Sequence, residues 1–337
     1  MLFWRFMQPW LIAIICIAAF IALLFALAAF TLKVAFGSRC DKDPNLYYRL
    51  PEEFSLKFEP VKVMQGKLAL NGFIYTSGNV DKVDNLVIFC HGLGAGHIAY
   101  TTEIAYFCNQ GYPVLALDIR GCNYSEGKNI GGMYEGVNCV KAAIDFARAD
   151  SRFKSSRIIL VGHSWGGYSV LCASAERKVD KVVAISAPLT PVKTIYNGAA
   201  KIISKPFALV LSPFWYILNF FKFGVKGNLN AATCAKNCEA EVLLIHGDKD
   251  NIVPLKFSAY ANASGNNIKK YMATGKSHNP YASMRAQQLL IELNEKLAHA
   301  IKPDEQTKKY LKEFDFIAAT EQDSDVMQSI CKFLKFA

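Results

Sequence analysis

Arg157-Ile158-Ile159-Leu160-Val161-Gly162-His163-Ser164-Trp165-Gly166-Gly167 is the stretch on which the reading of this chain turns. After the arginine it is a short apolar run, bounded like a buried strand, and from Trp165 to Glu176 the spacing becomes helical. Between strand and helix stands a serine with a glycine two residues before it and two after, a G-x-S-x-G pattern that occurs once in the chain. The glycines have a physical reason. A serine on so sharp a strand-to-helix turn holds a strained backbone, and side chains at the flanking positions would collide there. The helix that follows turns its first amides and the positive end of its dipole toward the serine.

Working outward, residues 56–64 and 68–76 read as strands joined near Gln65-Gly66, a hairpin-like entry to a sheet. Short apolar strands are predicted at 85–90, 113–118, 157–161 and 181–185, and helices at 100–110, 133–149 and 165–176. Continuous apolar strands alternating with helices define an α/β fold, a mostly parallel sheet covered on both faces. The alternation stops for about fifty residues, then resumes with strands at 241–245 and 268–273 and a long helix at 280–301. The expected core is therefore 56–187 together with 239–303, with 188–238 inserted above the sheet as a helical cap. The cap carries Phe207, Phe214, Trp215, Tyr216, Phe220, Phe221 and Phe223 with lysines between. Such density reads first as a well-packed cap, and it is compatible with lining an acyl pocket or touching a bilayer. A connector at 37–55 precedes the core, and a tail at 304–337 follows it, to pack as extra helices or to lie on a membrane.

The N-terminal segment is of another kind. Residues 6–32 carry no charge, and as a helix rising about 1.5 Å per residue they exceed the roughly 30 Å hydrocarbon core of a bilayer. Trp4, Trp10 and Phe30 lie near its ends, where interfacial aromatics settle. The alternative is a signal peptide cleaved near Ala35-Phe36-Gly37, but the apolar region is about twice the usual length. An uncleaved single-span transmembrane helix within 1–36 is the favoured reading. Lys33, Arg39, Lys42 and Arg49 follow the span against Arg5 before it, so the positive-inside bias puts the folded domain in the cytoplasm. The ten cysteines form no disulfide framework, and Cys234 and Cys238, which would share a helix face, read as packing residues. The net charge of +10 is spread without an aromatic-basic motif, which points to a lipid bilayer with anionic headgroups as partner and not to nucleic acid.

A serine hydroxyl at its ordinary pKa is a poor nucleophile, so Ser164 needs a base. Of the six histidines, His278 and His299 come late enough for the chain order that accompanies this elbow, in which serine is followed by acid and then histidine. His299 sits within a helical run, whereas His278, in Gly275-Lys276-Ser277-His278-Asn279-Pro280, lies on a loop; His278 is the base. The orienting acid is sought in His246-Gly247-Asp248-Lys249-Asp250, where Asp250, farther along the loop, is preferred over Asp248, which suits a turn cap. The glycine-rich turn His91-Gly92-Leu93-Gly94-Ala95-Gly96 lets a backbone N–H face the serine, and with the Trp165 N–H this makes two oxyanion donors. It matches neither a dinucleotide-binding nor a P-loop pattern.

Four motifs, His91-Gly92-Leu93-Gly94, Asp118-Ile119-Arg120-Gly121, the Ser164 elbow and His246-Gly247-x-x-Asp250-x-x-Val253-Pro254, stand in order across residues 68–301. In these the chain resembles the α/β-hydrolase superfamily, most of all its branch of monoacylglycerol lipases, lysophospholipases and serine aminopeptidases. The resemblance implies an α/β-hydrolase fold, a triad of Ser164, Asp250 and His278, and the Leu93 and Trp165 amides as oxyanion hole, with no metal or organic cofactor. It departs at Cys122 and Asn123, where the family often has histidine and glycine; Asn tolerates the left-handed conformation. The expected reaction is hydrolysis of a lipid-like acyl ester at a membrane. Thioesters and aminoacyl amides are the alternatives on the same machinery, and a silent binding protein on the same fold is the reading from another class.

Overall fold

The computed structural model describes residues 8–78, 83–94, 96–297 and 304–336. Trp4, Arg5, Ala95 and His299 lie outside the described residues. The chain opens with helix α1 (Pro9–Phe36), then strands β1 (Lys57–Gln65), β2 (Leu68–Thr76) and β3 (Asn85–Cys90). Helix α2 (Thr101–Asn109), β4 (Val114–Leu117), α3 (Met133–Ala149), β5 (Arg157–His163), α4 (Trp165–Ser174) and β6 (Lys181–Ile185) follow. Between β6 and the next strand come α5 (Pro191–Ala199), α6 (Lys205–Phe223) and α7 (Ala231–Asn237). The chain closes with β7 (Glu241–Gly247), α8 (Ala259–Asn262), β8 (Ile268–Ala273), α9 (Met284–Leu297), α10 (Glu305–Glu313) and α11 (Ser324–Leu334).

The eight strands make one sheet in the order β1-β2-β4-β3-β5-β6-β7-β8. The β1–β2 and β2–β4 pairs are antiparallel and the remaining pairs parallel. This is the α/β architecture expected, and β5 shows why its strands read as unbroken apolar runs. Ile158 and Leu160 enter the layer shared with α3 and α4, while Ile159 and Val161 enter the layer shared with α2. Both faces of the strand are dry, so alternation with polar residues has nowhere to occur. The loops at the carboxyl ends of β3, β5, β7 and β8 converge on one edge of the sheet, where an open α/β sheet presents its binding crevice.

The boundary drawn at residue 304 does not separate a tail from the core. Helix α11 buries Val326, Met327, Ile330 and Leu334 against the same layer as α2, and Asp323 caps it by accepting the N–H groups of Asp325 and Val326. The charged residues that made this segment look peripheral lie on the other side of an amphipathic helix.

The connector is likewise stitched down. Arg39 donates to the backbone carbonyls of Asn123, Ser125 and Gly127, and Cys40 N–H bonds the Gly121 carbonyl. Among the described residues two segments, α1 and the stretch Lys205–Asn237 that holds α6 and α7, are long and apolar enough to cross a membrane by length and composition. They touch each other. Leu24 and Ala28 of α1 pack with Ala208, Leu211 and Trp215 of α6, Phe25 meets Phe214 edge-on at 4.8 Å, and Trp215 Nε1–H donates to Thr31 Oγ1 at 2.7 Å. The cap aromatics therefore divide: Phe214 and Trp215 pack against α1, whereas Tyr216, Phe220 and Phe221 face outward.

Candidate active site

Ser164 occupies the turn between β5 and α4 at φ 54°, ψ −118°, a backbone rarely held by a residue with a side chain. The neighbours explain the glycines. A Cβ on Gly162 would fall on the Gly166 carbonyl, and one on Gly166 would fall on the carbonyls of Cys90 and His91. Strand β3, the turn and α4 are packed backbone to backbone at this point. Trp165 is the first residue of α4, so its N–H is among the first-turn amides that have no partner within the helix. Leu93, in the turn after β3, lines the same cavity as Ser164.

The structure brings Ser164, His278 and Asp250 together. His278 Nε2 lies 2.9 Å from Ser164 Oγ, and His278 Nδ1 lies 2.8 Å from Asp250 Oδ2. The other carboxylate oxygen, Oδ1, accepts the N–H groups of Ile252 at 2.9 Å and Val253 at 2.8 Å. Burial would by itself raise the Asp250 carboxyl, but the bond from His278, its charge and the Val253 N–H outweigh burial and hold the pKa below the ordinary value. With Nδ1 donating to that carboxylate, Nε2 is left as an acceptor facing the serine hydroxyl. Asp248 does something else. Its Oδ1 accepts the Gly275 N–H at 2.6 Å, bracing the loop that carries His278.

A second chain of hydrogen bonds ties the three loops to one another. Burial pushes His163 down to about 3, so its ring is neutral. Its Nε2–H donates to the His278 carbonyl at 2.9 Å, which leaves Nδ1 to accept from the Tyr100 hydroxyl at 2.8 Å. The same hydroxyl oxygen accepts the Gly92 N–H at 3.1 Å. The residue before Ser164 thus connects the His278 loop to the residue before Leu93. Pattern reading missed Tyr100, which looked like an ordinary start to α2; its place directly after the glycine-rich turn was the available signal.

The Asp118-Ile119-Arg120-Gly121 motif is architectural. Asp118 Oδ1 accepts both the backbone N–H of His97 at 3.0 Å and its Nδ1 at 2.8 Å, and His91 Nε2 accepts the Ile119 N–H at 2.9 Å. Asn123, which replaces the family glycine, holds φ 41°.

A cavity of about 360 Å³ opens beside Ser164, lined among others by Leu93, Tyr100, Glu103, His278 and Tyr281. Its far wall is Ala319, Thr320 and Glu321, from the segment just before α11. Among the described residues that line it, none belongs to the cap.

With this geometry in view, comparison with known proteins places the fold. The model of the α/β hydrolase fold family matches residues 85–207, from β3 past the serine elbow into the start of α6. An AB hydrolase superfamily protein of Bacillus subtilis (strain 168), YfhM, is 28% identical over 110 residues, which is 31% of this chain and 36% of that protein. The match thus spans about a third of that relative's length. Among solved structures, the Pyrococcus furiosus esterase Pf2001 superposes with a TM-score of 0.56 at 22% identity, over 82% of this chain and 97% of that one. DcsB, solved with a substrate analogue, superposes with a TM-score of 0.51 at 16% identity, over 71% and 98% of the two chains. Residues 85–207 are thus similar to the α/β hydrolase fold family, and the likeness to the solved structures extends that fold over most of the chain.

Proposed function

We propose that this protein is a serine hydrolase of carboxylic esters, held at a membrane by α1. The observation that carries the reading is the continuous line from Asp250 through His278 to Ser164, with the serine on a strained turn at the mouth of a cavity. In the proposed reaction His278 Nε2 takes the hydroxyl proton as Ser164 Oγ attacks the ester carbonyl. The Leu93 and Trp165 amides receive the oxyanion, and His278 returns the proton to the leaving alcohol. Water then repeats the steps to release the acyl group. Asp250 keeps the Nδ1–H tautomer throughout.

The substrate is more compact than the cap aromatics suggested. The lipid-like acyl reading rests on the membrane anchor and the aromatic cap, yet the cavity beside Ser164 is bounded by α2, the His278 loop and the C-terminal segment. At about 360 Å³ it is near the lower end of the roughly 300–1,000 Å³ usual for ligand pockets. The contacts of α6 with Leu24, Phe25, Ala28 and Thr31 favour a retained helix over a cleaved leader, since removal of α1 would bare the Trp215 face. The basic residues after the span favour a cytoplasmic catalytic domain.

The test is turnover of p-nitrophenyl acetate, butyrate and octanoate by full-length protein, beside labelling with a fluorophosphonate. The expected result is hydrolysis fastest for the short esters, with both turnover and label abolished in Ser164→Ala. Undiminished hydrolysis by Ser164→Ala overturns the assignment of the nucleophile.

A further inference from the structure

Among the described residues four carboxylates are buried: Glu103, Asp118, Glu135 and Asp250. Three of them face a basic side chain. Asp118 bonds His97, Glu135 bonds Arg120 at 2.7 Å, and Asp250 bonds His278. Glu103 does not. It is 7% exposed, and its side-chain partner is the neutral amide of Gln322, which donates to Oε1 at 3.3 Å. Of the four, it is also the one in the wall of the cavity that holds Ser164.

A carboxylate taken out of water without a counter-charge is costly, and a side chain needed only to fasten Gln322 could be an amide. The surroundings also suit a cation. Tyr100 and Tyr281 line the same cavity with ring centroids 6.2 Å apart, and Tyr100 lies one helical turn before Glu103. Aromatic faces attract organic ammonium groups, most strongly where water is excluded. The geometry points to Glu103 as the recognition site for a positively charged organic ammonium group on the substrate, set beside Tyr100 and Tyr281 while the ester carbonyl meets Ser164. The charge that Glu103 lacks in the protein is supplied by the ligand. Consistent with this, burial pushes the carboxyl up to about 7, within reach of a cation that would keep it ionised. The substrate class that follows is a compact amine-bearing ester or thioester.

This rests on the hydrolase reading, and the experiment separates the two. Turnover of butyrylthiocholine is compared with turnover of its uncharged isostere, 3,3-dimethylbutyl thiobutyrate, by full-length protein and by Glu103→Gln, which keeps the bond to Gln322. Binding of choline and of 3,3-dimethyl-1-butanol is measured by calorimetry on the same proteins. The wild type is expected to favour the charged ester at least tenfold in kcat/KM and to bind choline the more tightly. Glu103→Gln is expected to bring the ratio near one through loss of charged-ester turnover. Equal handling of the two esters by the wild type, or an unchanged ratio in Glu103→Gln, overturns the cation site and leaves the hydrolase standing. Choline binding without turnover of either ester supports the site and overturns the hydrolase. Should Glu103→Gln fail to fold, the wild-type preference and Glu103→Asp, which keeps the charge and is expected to keep the preference, decide the matter.

Discussion

Replacing Asp250 by asparagine changes one atom, and the structure dictates which way the amide must turn. Asp250 Oδ1 accepts two backbone N–H groups, from Ile252 and Val253, while Oδ2 accepts from His278 Nδ1. An amide nitrogen cannot occupy the first position, because it would point donors at two donors in a buried site. The asparagine oxygen therefore stays with Ile252 and Val253, and its nitrogen faces His278. To accept from that nitrogen the imidazole must move its proton from Nδ1 to Nε2, and a protonated Nε2 cannot take the Ser164 proton. The bonds within the loop survive, so folding should be affected little. The expected loss is about 10³- to 10⁴-fold in kcat, or about 4–5.5 kcal/mol of transition-state stabilisation. The assay is kcat for p-nitrophenyl butyrate with the melting temperature measured alongside. Asp250→Ala, which leaves the tautomer free, should be the less damaged of the two. An Asn variant within about tenfold of wild type, or one clearly better than Ala, would refute the tautomer argument.

Tyr100→Phe strands the Gly92 N–H and His163 Nδ1 together and should cost about 1–3 kcal/mol of stability by chemical denaturation, with a fall in kcat exceeding any change in KM. Glu103 has a folded pKa of about 7 against an ordinary 4.5, so the folded state holds the proton more tightly. Its stabilising contribution, about 3 kcal/mol, is complete below pH about 4.5 and lost as pH rises through 7. Denaturation midpoints across that window should decline in the wild type and flatten in Glu103→Gln; parallel slopes would contradict the assignment. A methyl group on Gly198 of α5 would project into open space, with no atom within 4 Å, so Gly198→Ala should stabilise by about 0.5–1 kcal/mol, whereas Gly166→Ala should fail to yield soluble protein. Ile330→Ala, which empties a fully buried site between α11 and the sheet, should cost about 2–5 kcal/mol, where a loose tail would show no effect.

The fold and the line of Ser164, His278 and Asp250 were legible early because each leaves a local mark. A strand buried on both faces must be apolar throughout, as 157–161 is after its leading arginine. A nucleophile on a strained turn needs glycines two residues either side, and Gly162 and Gly166 are forced by backbone contacts that no other residue fits. The choice of His278 over His299 followed from the difference between loop and helix, and that of Asp250 over Asp248 from reach along one loop. Tertiary structure alone decided the rest. Tyr100 and Glu103 at the start of α2 lie far along the chain from Glu321 and share a cavity with it only because α2 and the approach to α11 meet at one edge of the sheet. The cap aromatics read first as a packed cap, but what each packs against depends on which element lies on that side of the helix, and α1 takes the Trp215 side. Periodicity along a chain shows that a residue will be buried; it carries no information about which distant residue will be buried against it.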